Sequence, residues 1–171
     1  VNAVVGARSS ITIVINDNEP RLKCAGRPAT IVGTRAGETI IGTAGADVIA
    51  ARGGADIVMA LDGNDRVCAG GGNDTVDGGD GRDLVLGNAG NDILRLGQGG
   101  DTGRGGGGAD QVRGGDGNDS LAGGGGTDVV SGEGGKDHLS GGPGAGDRCD
   151  GGPGVDALLR NAGCETVVGV P

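Results

Sequence analysis

The sequence of 171 residues contains no phenylalanine, tyrosine or tryptophan, and only one histidine. Because aromatic side chains supply the largest buried areas in most cores, an ordinary packed core is nearly excluded. Basic residues are also scarce, 14 against 23 acidic ones with a net charge of −9, which argues against nucleic acid as a partner. No apolar run approaches the roughly 18 residues of a transmembrane helix. The chain must therefore repeat a small unit, remain disordered, or be held together by something other than side-chain burial.

Glycine takes the place of the missing residue types, with 44 copies in the chain. Glycine does not recur at every third position, so a collagen triple helix is excluded. The acidic residues, in contrast, recur with a period of nine, and after one extra residue the series resumes at Asp147. The acids of the unbroken series are Glu38, Asp47, Asp56, Asp65, Asp74, Asp83, Asp92, Asp101, Asp110, Asp119, Asp128 and Asp137. Such a fixed period is the signature of a repeat architecture.

The positions around each acid are constrained as well. Glycine dominates five, four and two residues before the acid, and an aliphatic residue usually stands two residues after it. The unit is thus G-G-x-G-x-D-x-U-x, where U is aliphatic, and the copies at 78–86 and 114–122 match every constrained position. Gly103 and Cys149 are the exceptions at the U position.

This unit resembles the RTX, or haemolysin-type, calcium-binding nonapeptide repeat, over roughly residues 33–168. A dozen copies in phase are very improbable by chance. The alternative for such a composition is a glycine-rich disordered linker, which is also a fair description of the metal-free state.

The nonapeptide itself predicts a glycine turn followed by a three-residue strand, x-U-x, whose middle side chain faces inward. Two nonapeptides then make one coil, and stacked coils form two parallel sheets with the U residues between them. The resemblance implies an all-β fold, a right-handed parallel β-roll with an 18-residue coil. We expect an N-terminal strand, cap or remnant of a preceding domain at 1–28, the roll at 29–168 and a tail at 169–171.

Acids that are 18 residues apart would stack at about 4.8 Å, the strand spacing, and form two ladders of like charge. Their repulsion opposes folding unless a cation neutralises it. Calcium takes 6–8 oxygen ligands in flexible geometry, whereas magnesium demands an octahedron and zinc prefers His and Cys clusters. The resemblance implies that each calcium ion lies between the turns of successive coils, where carboxylates and turn carbonyls bind it.

Carried onto this sequence, the resemblance implies up to about nine calcium ions. The carboxylate ligands would be Asp47, Asp56, Asp65, Asp74, Asp83, Asp92, Asp101, Asp110, Asp119, Asp128 and Asp137. The carbonyl ligands would come from turn residues that include Leu61, Gly63, Gly72, Gly78, Asp80, Gly81, Gly90, Gly99, Gly108 and Gly117.

Several repeats depart from the unit. Glu38 lacks most turn glycines, so a site there is doubtful, and Ala60–Leu61 in place of two glycines predicts a stiffer turn. Gly103 leaves one strand without an interior side chain. An insertion within 141–150 is expected to disturb the stack near Asp147. The terminal repeats are expected to act as caps, as solenoids require.

The rod-shaped solenoid that the resemblance implies limits how the four cysteines can pair. Cys68 and Cys149 would lie about 20 Å apart along the rod, too far for a disulfide. Of the three possible connectivities, only Cys24–Cys68 with Cys149–Cys164 keeps both bonds local. Four free thiols are the alternative. An even cysteine number fits a secreted or extracellular protein.

Residues 9–19 alternate and are rich in β-branched side chains, which predicts one strand. This segment weakly resembles the last strand of a Calx-β domain, but a cap strand is the preferred interpretation. Outward-facing apolar residues could receive it: Ile57, Met59, Leu84, Leu86 and Ile93. Since the chain opens at Val1 without a start signal, we expect a fragment or a processed product.

No catalytic or organic-cofactor site is predicted. His138 lies beside Asp137, but no nucleophile or oxyanion site accompanies it, so it is interpreted as a surface residue. We predict a monomeric calcium-binding module of a secreted or cell-surface protein that folds when calcium binds and contacts adjacent domains or the cell surface. The alternatives are the C-terminal module of an extracellular enzyme, for secretion or stability, and an adhesin repeat.

Overall fold

The computed structural model of the chain describes residues 22–154, 157–158 and 163–168. The strand predicted at 9–19 and the tail at 169–171 lie outside these ranges. The described residues form strands and turns, and none of them belongs to a helix that is long and apolar enough to cross a membrane.

Eighteen strands are found in the described ranges, and all are short. They are β1 (Lys23–Cys24), β2 (Arg27–Pro28), β3 (Ile31–Val32), β4 (Thr39–Ile41), β5 (Val48–Ala50), β6 (Ile57–Met59), β7 (Arg66–Gly71), β8 (Thr75–Asp80), β9 (Leu84–Ala89), β10 (Ile93–Gln98), β11 (Thr102–Gly107), β12 (Gln111–Gly117), β13 (Ser120–Gly125), β14 (Val129–Gly135), β15 (His138–Ser140), β16 (Asp147–Asp150), β17 (Ala157–Leu158) and β18 (Cys164–Val168).

The strands alternate between two parallel sheets of eight strands each. One sheet contains the even-numbered strands from β4 to β18, and the other contains the odd-numbered strands from β3 to β17. Leu94 pairs with Val76 on one side and Val112 on the other, so each strand is offset by 18 residues from its neighbour. The predicted all-β, right-handed parallel β-roll with two nonapeptides per coil is therefore confirmed.

The strands in the middle of the roll are longer than the predicted three residues. Those from β7 to β14 contain six or seven residues, because the backbone stays extended into the glycine positions that follow x-U-x. Side chains alternate along a strand, so the residue two positions after U also faces inward. In β10, for example, both Leu94 and Leu96 are fully buried.

The core is a single column of aliphatic side chains between the sheets, formed mainly by the U residues. The second inward position is glycine in most coils, but it carries a buried side chain at Ala51, Ala60, Ala69 and Leu96. Leu96 lies opposite Gly103, the glycine at a U position, and a Cβ on Gly103 would lie only 3.0 Å from a Leu96 methyl carbon. Leu96 thus fills the space that the sequence predicted to be empty.

The insertion near Asp147 shifts the register without interrupting the stack. Gly126 still pairs with Gly144 at an offset of 18, whereas Val130 pairs with Cys149 at an offset of 19. The extra residue is accommodated in the turn between Gly144 and Asp147, and β16 continues the sheet.

Both predicted disulfides are present, and the described residues include no free cysteine. Cys24 is bonded to Cys68 with a Cα–Cα distance of 5.5 Å, and Cys149 is bonded to Cys164 at 5.6 Å. The first bond ties the antiparallel β1–β2 pair to β7, and the second joins β16 to β18.

Candidate metal centre

The periodic aspartates form two continuous ladders along the edges of the roll, as the sequence predicted. From Asp56 onward, one oxygen of the carboxylate, Oδ1, accepts a hydrogen bond from the backbone N–H of the acid one coil earlier. The Asp65 N–H, for instance, donates to Asp83 Oδ1 at 2.8 Å, and the Asp83 N–H donates to Asp101 Oδ1 at 2.8 Å. The same bond recurs in both ladders at 2.7–2.9 Å, from Glu38–Asp56 to Asp128–Asp147. These bonds hold successive turns in register.

The second carboxylate oxygen, Oδ2, is left without a donor in most of the roll. The ladder aspartates are at most 7% exposed. In the described part of the chain, the buried Oδ2 atoms that lack a hydrogen-bond partner include those of Asp56, Asp65, Asp74, Asp83, Asp92, Asp101, Asp110, Asp119, Asp128 and Asp147. A buried ionised carboxylate oxygen without a partner is costly, so these rows of atoms need a compensating charge or a proton.

Burial raises the pKa of most aspartates in the two ladders. Loss of hydration raises the pKa of Asp83 to about 6, against the partly opposing hydrogen bond from Asp65 N–H, and the carboxylates of Asp101 and Asp65 add to the rise. Burial is also the leading cause at eight further aspartates of the ladder. It raises the pKa to about 6 at Asp56, Asp65, Asp92 and Asp119, and it raises the pKa of Asp74, Asp101, Asp110 and Asp128 as well.

The orphaned Oδ2 of Asp83 faces a cradle that exists because a glycine has no Cβ, whereas Ala51, Ala60, Ala69 and Leu96 occupy the equivalent position before Asp56, Asp65, Asp74 and Asp101. A Cβ on Gly78, five residues before Asp83, would lie 2.7 Å from Asp83 Oδ2 and 2.5 Å from the carbonyl oxygen of Leu96 in the next coil. The same pairing of a carboxylate with a carbonyl from the next coil recurs at Gly87, Gly105, Gly114 and Gly132. Oxygens from two successive coils therefore converge where the side chain is missing.

The turns that present these oxygens share one backbone conformation. In the ten turns that end at the aspartates from Asp56 to Asp137, the residues four and two positions before the acid both have positive φ. In four of these turns the first of the two positions holds a residue other than glycine, for example Leu61 with a φ of 78°. The second position is always glycine. At Gly81 a Cβ would overlap the carbonyl oxygen of Gly63, so close stacking as well as φ requires glycine there.

The predicted carbonyl ligands lie in these turns. The Leu61 carbonyl accepts a hydrogen bond from Asp80 N–H at 3.1 Å, and the Asp80 carbonyl accepts one from Gly63 N–H at 2.8 Å. Each of these oxygens retains a second lone pair. The carbonyl oxygens of the glycines two positions before the acid point toward the next coil, each against the glycine 18 residues later: Gly63, Gly72, Gly81, Gly90, Gly99, Gly108 and Gly117.

This donor set fits calcium. In the described ranges no three His, Cys, Asp or Glu side chains come together as a metal-binding group, so a cation would depend on backbone carbonyls in addition to the carboxylates. Hard oxygen donors in a loop that can adjust are what calcium prefers, whereas zinc prefers nitrogen and sulfur. A bound cation would supply positive charge to the orphaned Oδ2 atoms.

The first two turns, which end at Glu38 and Asp47, are built differently. They carry threonine in place of the second glycine, and neither Thr34 nor Thr43 has a positive φ. Asp47 Oδ2 accepts hydrogen bonds from Thr43 N–H at 2.7 Å and from Thr43 Oγ1 at 2.9 Å. Glu38 Oε1 accepts a bond from Thr34 N–H in the same way. We call these two the threonine turns; a site at Glu38 was doubtful from its missing glycines, and the G-T pair at 33–34 and 42–43 is the sequence signal that marks both turns.

The family model of the RTX calcium-binding nonapeptide repeat, which contains four copies of the unit, matches this chain several times. The matched ranges are 32–67, 69–103, 96–130, 104–139, 113–147 and 123–158, which together cover most of the chain. A search of the curated proteins found no match.

The fold and the aspartate ladders define a parallel β-roll of the calcium-binding type. The chain belongs to the RTX calcium-binding nonapeptide repeat family. His138, the one histidine, lies exposed at the start of β15, while the carboxylate of the adjacent Asp137 is turned into the ladder.

Proposed function

We propose that this chain is a calcium-dependent folding module of a secreted or cell-surface protein, unfolded where calcium is scarce and folded as a β-roll where it is abundant. The observation that carries the proposal is the row of buried Oδ2 atoms without donors. Without a cation, these carboxylates repel one another and lack hydration, and both effects oppose folding. The two disulfides support an oxidising, extracellular compartment.

The metal sites proposed are the turns whose acids have an orphaned Oδ2. Each ion would be held by aspartates 18 residues apart in one ladder, such as Asp65 and Asp83, and by turn carbonyls such as those of Gly63 and Gly78. Because each aspartate contacts two successive coils, one ion would link neighbouring coils, and binding would be cooperative along the roll. We further propose a monomer whose outer sheet faces contact adjacent domains or the cell surface.

The test is a calcium titration of the whole chain, followed by far-UV circular dichroism. The β signal should rise cooperatively with calcium, fall steeply when a chelator is added, and respond little to magnesium at the same concentration. A spectrum that stays the same from chelator to saturating calcium would refute the proposal.

A matched pair of variants tests the sites. Asp83→Asn keeps an oxygen that can accept the bond from Asp65 N–H, but it removes the charge from a buried ladder position. Asp77→Asn removes the same charge from an exposed position on β8. Asp83→Asn should raise the calcium concentration at the folding midpoint at least about tenfold, since charged ligands dominate calcium affinity, whereas Asp77→Asn should leave it nearly unchanged. Equal shifts in the two variants would contradict the assignment of the ladder as the metal site.

A further inference from the structure

The two threonine turns direct their own donors at the acid. In each of them the threonine N–H points at the acid, and a donor in that position is the opposite of the carbonyl that a metal needs. Asp47 is bonded at both oxygens, because Thr30 Oγ1 also lies 3.4 Å from its Oδ1. The charge of this carboxylate is therefore satisfied by hydrogen bonds from the protein itself.

The coils next to the threonine turns also bury more apolar side chain than the rest of the roll. Ala51, Ala60 and Ala69 occupy the second inward position in three successive strands, β5 to β7 and their ends. From Gly78 onward this position is glycine, with Leu96 as the exception that fills the space at Gly103. The nonapeptides of β5, β6 and β7 thus bury at least two apolar side chains each, whereas β4, with Gly42 at the second inward position, and most later strands bury one.

A covalent bond closes the same part of the chain. The Cys24–Cys68 disulfide spans 44 residues, and both threonine turns lie within that loop. Cys24 itself is fully buried, and the β1–β2 pair that carries it packs against β5 and β7. Of the four ladder acids in residues 22–69, only Asp56 and Asp65 have an orphaned Oδ2, whereas orphaned atoms continue at nearly every ladder position after Gly70.

From these three observations we propose that residues 22–69, the amino-terminal cap, fold without calcium and serve as the template on which the calcium-dependent coils assemble. The inference rests on the proposed calcium-dependent folding, since it confines that dependence to residues 70–154; the ions that Asp56 and Asp65 share with Asp74 and Asp83 would bind as those later coils assemble. An edge strand that is already folded would supply the backbone partners for the next coil, so that each calcium ion would extend an existing sheet. The roll would then grow in one direction, from β7 toward β16.

Hydrogen exchange measured by mass spectrometry on the oxidised chain, with chelator and with saturating calcium, tests this proposal. In chelator, amides of β3 to β7 should remain protected, and amides of β8 to β15 should exchange at the rate of an unfolded chain. If protection in chelator were lost along the whole roll, or survived only at the C-terminal end, the proposal of a calcium-independent amino-terminal cap would be overturned. Protection of every strand in chelator would instead contradict the proposed calcium dependence itself.

A conservative substitution examines the threonine turn separately. Thr43→Val removes only the hydroxyl, and the matched control Thr75→Val makes the same change at a partly exposed strand position. In chelator, Thr43→Val should speed the exchange of β4 and β5 amides at least about tenfold, because a hydrogen bond to a charged group is lost; Thr75→Val should not. In calcium, Thr43→Val should bind as many ions as the unaltered chain. One ion fewer would mean that the Asp47 turn binds metal, which would overturn the inference.

Discussion

The turn at Asp47 and the turn at Asp83 occupy equivalent places in the roll but handle the carboxylate in opposite ways. At Asp47, a threonine with ordinary φ aims its N–H and hydroxyl at Oδ2. At Asp83, Gly79 and Gly81 have positive φ, and Oδ2 has no donor. One substitution in the glycine pair thus separates a turn that is complete on its own from a turn that awaits a cation.

The largest difference in stability between the amino-terminal and carboxyl-terminal ends of the roll should be seen when their disulfides are removed. Replacing Cys24 and Cys68 by alanine removes a 44-residue loop and should cost about 4 kcal/mol of unfolding free energy, compared with about 3 kcal/mol for the 15-residue loop of Cys149–Cys164. Denaturant unfolding in saturating calcium measures both. In chelator, only the first replacement should remove the residual β signal, since only that bond lies in the amino-terminal cap. If the residual β signal survived removal of the Cys24–Cys68 bond, the assignment of that signal to the amino-terminal cap would be contradicted.

The second largest effect should come from glycine substitutions, which should destabilise the glycine turns much more than the threonine turns. Gly81→Ala introduces a Cβ that overlaps the Gly63 carbonyl oxygen and strains a φ of 141°, so about 3 kcal/mol of stability should be lost in calcium. Gly45 holds the same place in a threonine turn, but its φ is not positive and the nearest atom to a Cβ, Thr43 Oγ1, would be 3.9 Å away. Gly45→Ala should therefore change stability by less than about 0.5 kcal/mol. Similar losses at the two positions would show that the turns are not as different as their φ angles indicate.

In the coil that contains Leu96 and Gly103, the usual residue sizes are reversed. Leu96 stands in one sheet where most coils have glycine, and Gly103 stands in the other sheet where they have an aliphatic residue. Gly103→Val should destabilise the roll by about 1–3 kcal/mol because it overpacks against Leu96. Adding Leu96→Gly should recover much of that loss, since it restores the arrangement of the other coils. A double-mutant cycle by thermal unfolding in calcium should then give a coupling of about 1 kcal/mol or more. Additive effects would mean that the two residues do not compensate each other.

Lowering the pH should stabilise the calcium-free roll in part, because protons then neutralise the ladder carboxylates. This effect should be the most gradual of the four predicted effects. The pKa of Asp65, Asp83, Asp92 and Asp119 is about 6 in the folded chain against 3.8 when unfolded, so the folded state keeps protons that the unfolded chain has lost. Unfolding free energy without calcium should therefore fall as pH rises from about 4 to about 6, and remain low above that. Circular dichroism in chelator should show more β structure at pH 5 than at pH 7. Calcium affinity should change in the opposite direction, because protons and calcium compete for the same oxygens.

Much of this structure could be predicted because the repeat is strict. A nine-residue period with one aliphatic position, together with the family resemblance, predicts an 18-residue coil, which sets the register, the two ladders and the local cysteine pairs. The strands were predicted too short, since alternation continues through the glycines after x-U-x, and Ala51, Ala60 and Ala69 were the sequence signal for it. The role of Leu96 could not be predicted from one repeat, because the space that it fills is left by Gly103 in the opposite sheet.

The period and the alternation of aliphatic and acidic positions are local properties, and the sequence alone determined from them that the chain is a nonapeptide repeat, whose family resemblance implies a roll with stacked aspartates. Only the tertiary structure decided that Oδ1 of each later aspartate is bonded to a backbone N–H one coil earlier while Oδ2 is buried without a donor, because these contacts join residues 18 apart. The pattern of a single repeat carries no information at that distance, whereas the Thr43 donors to Asp47 lie only four residues away.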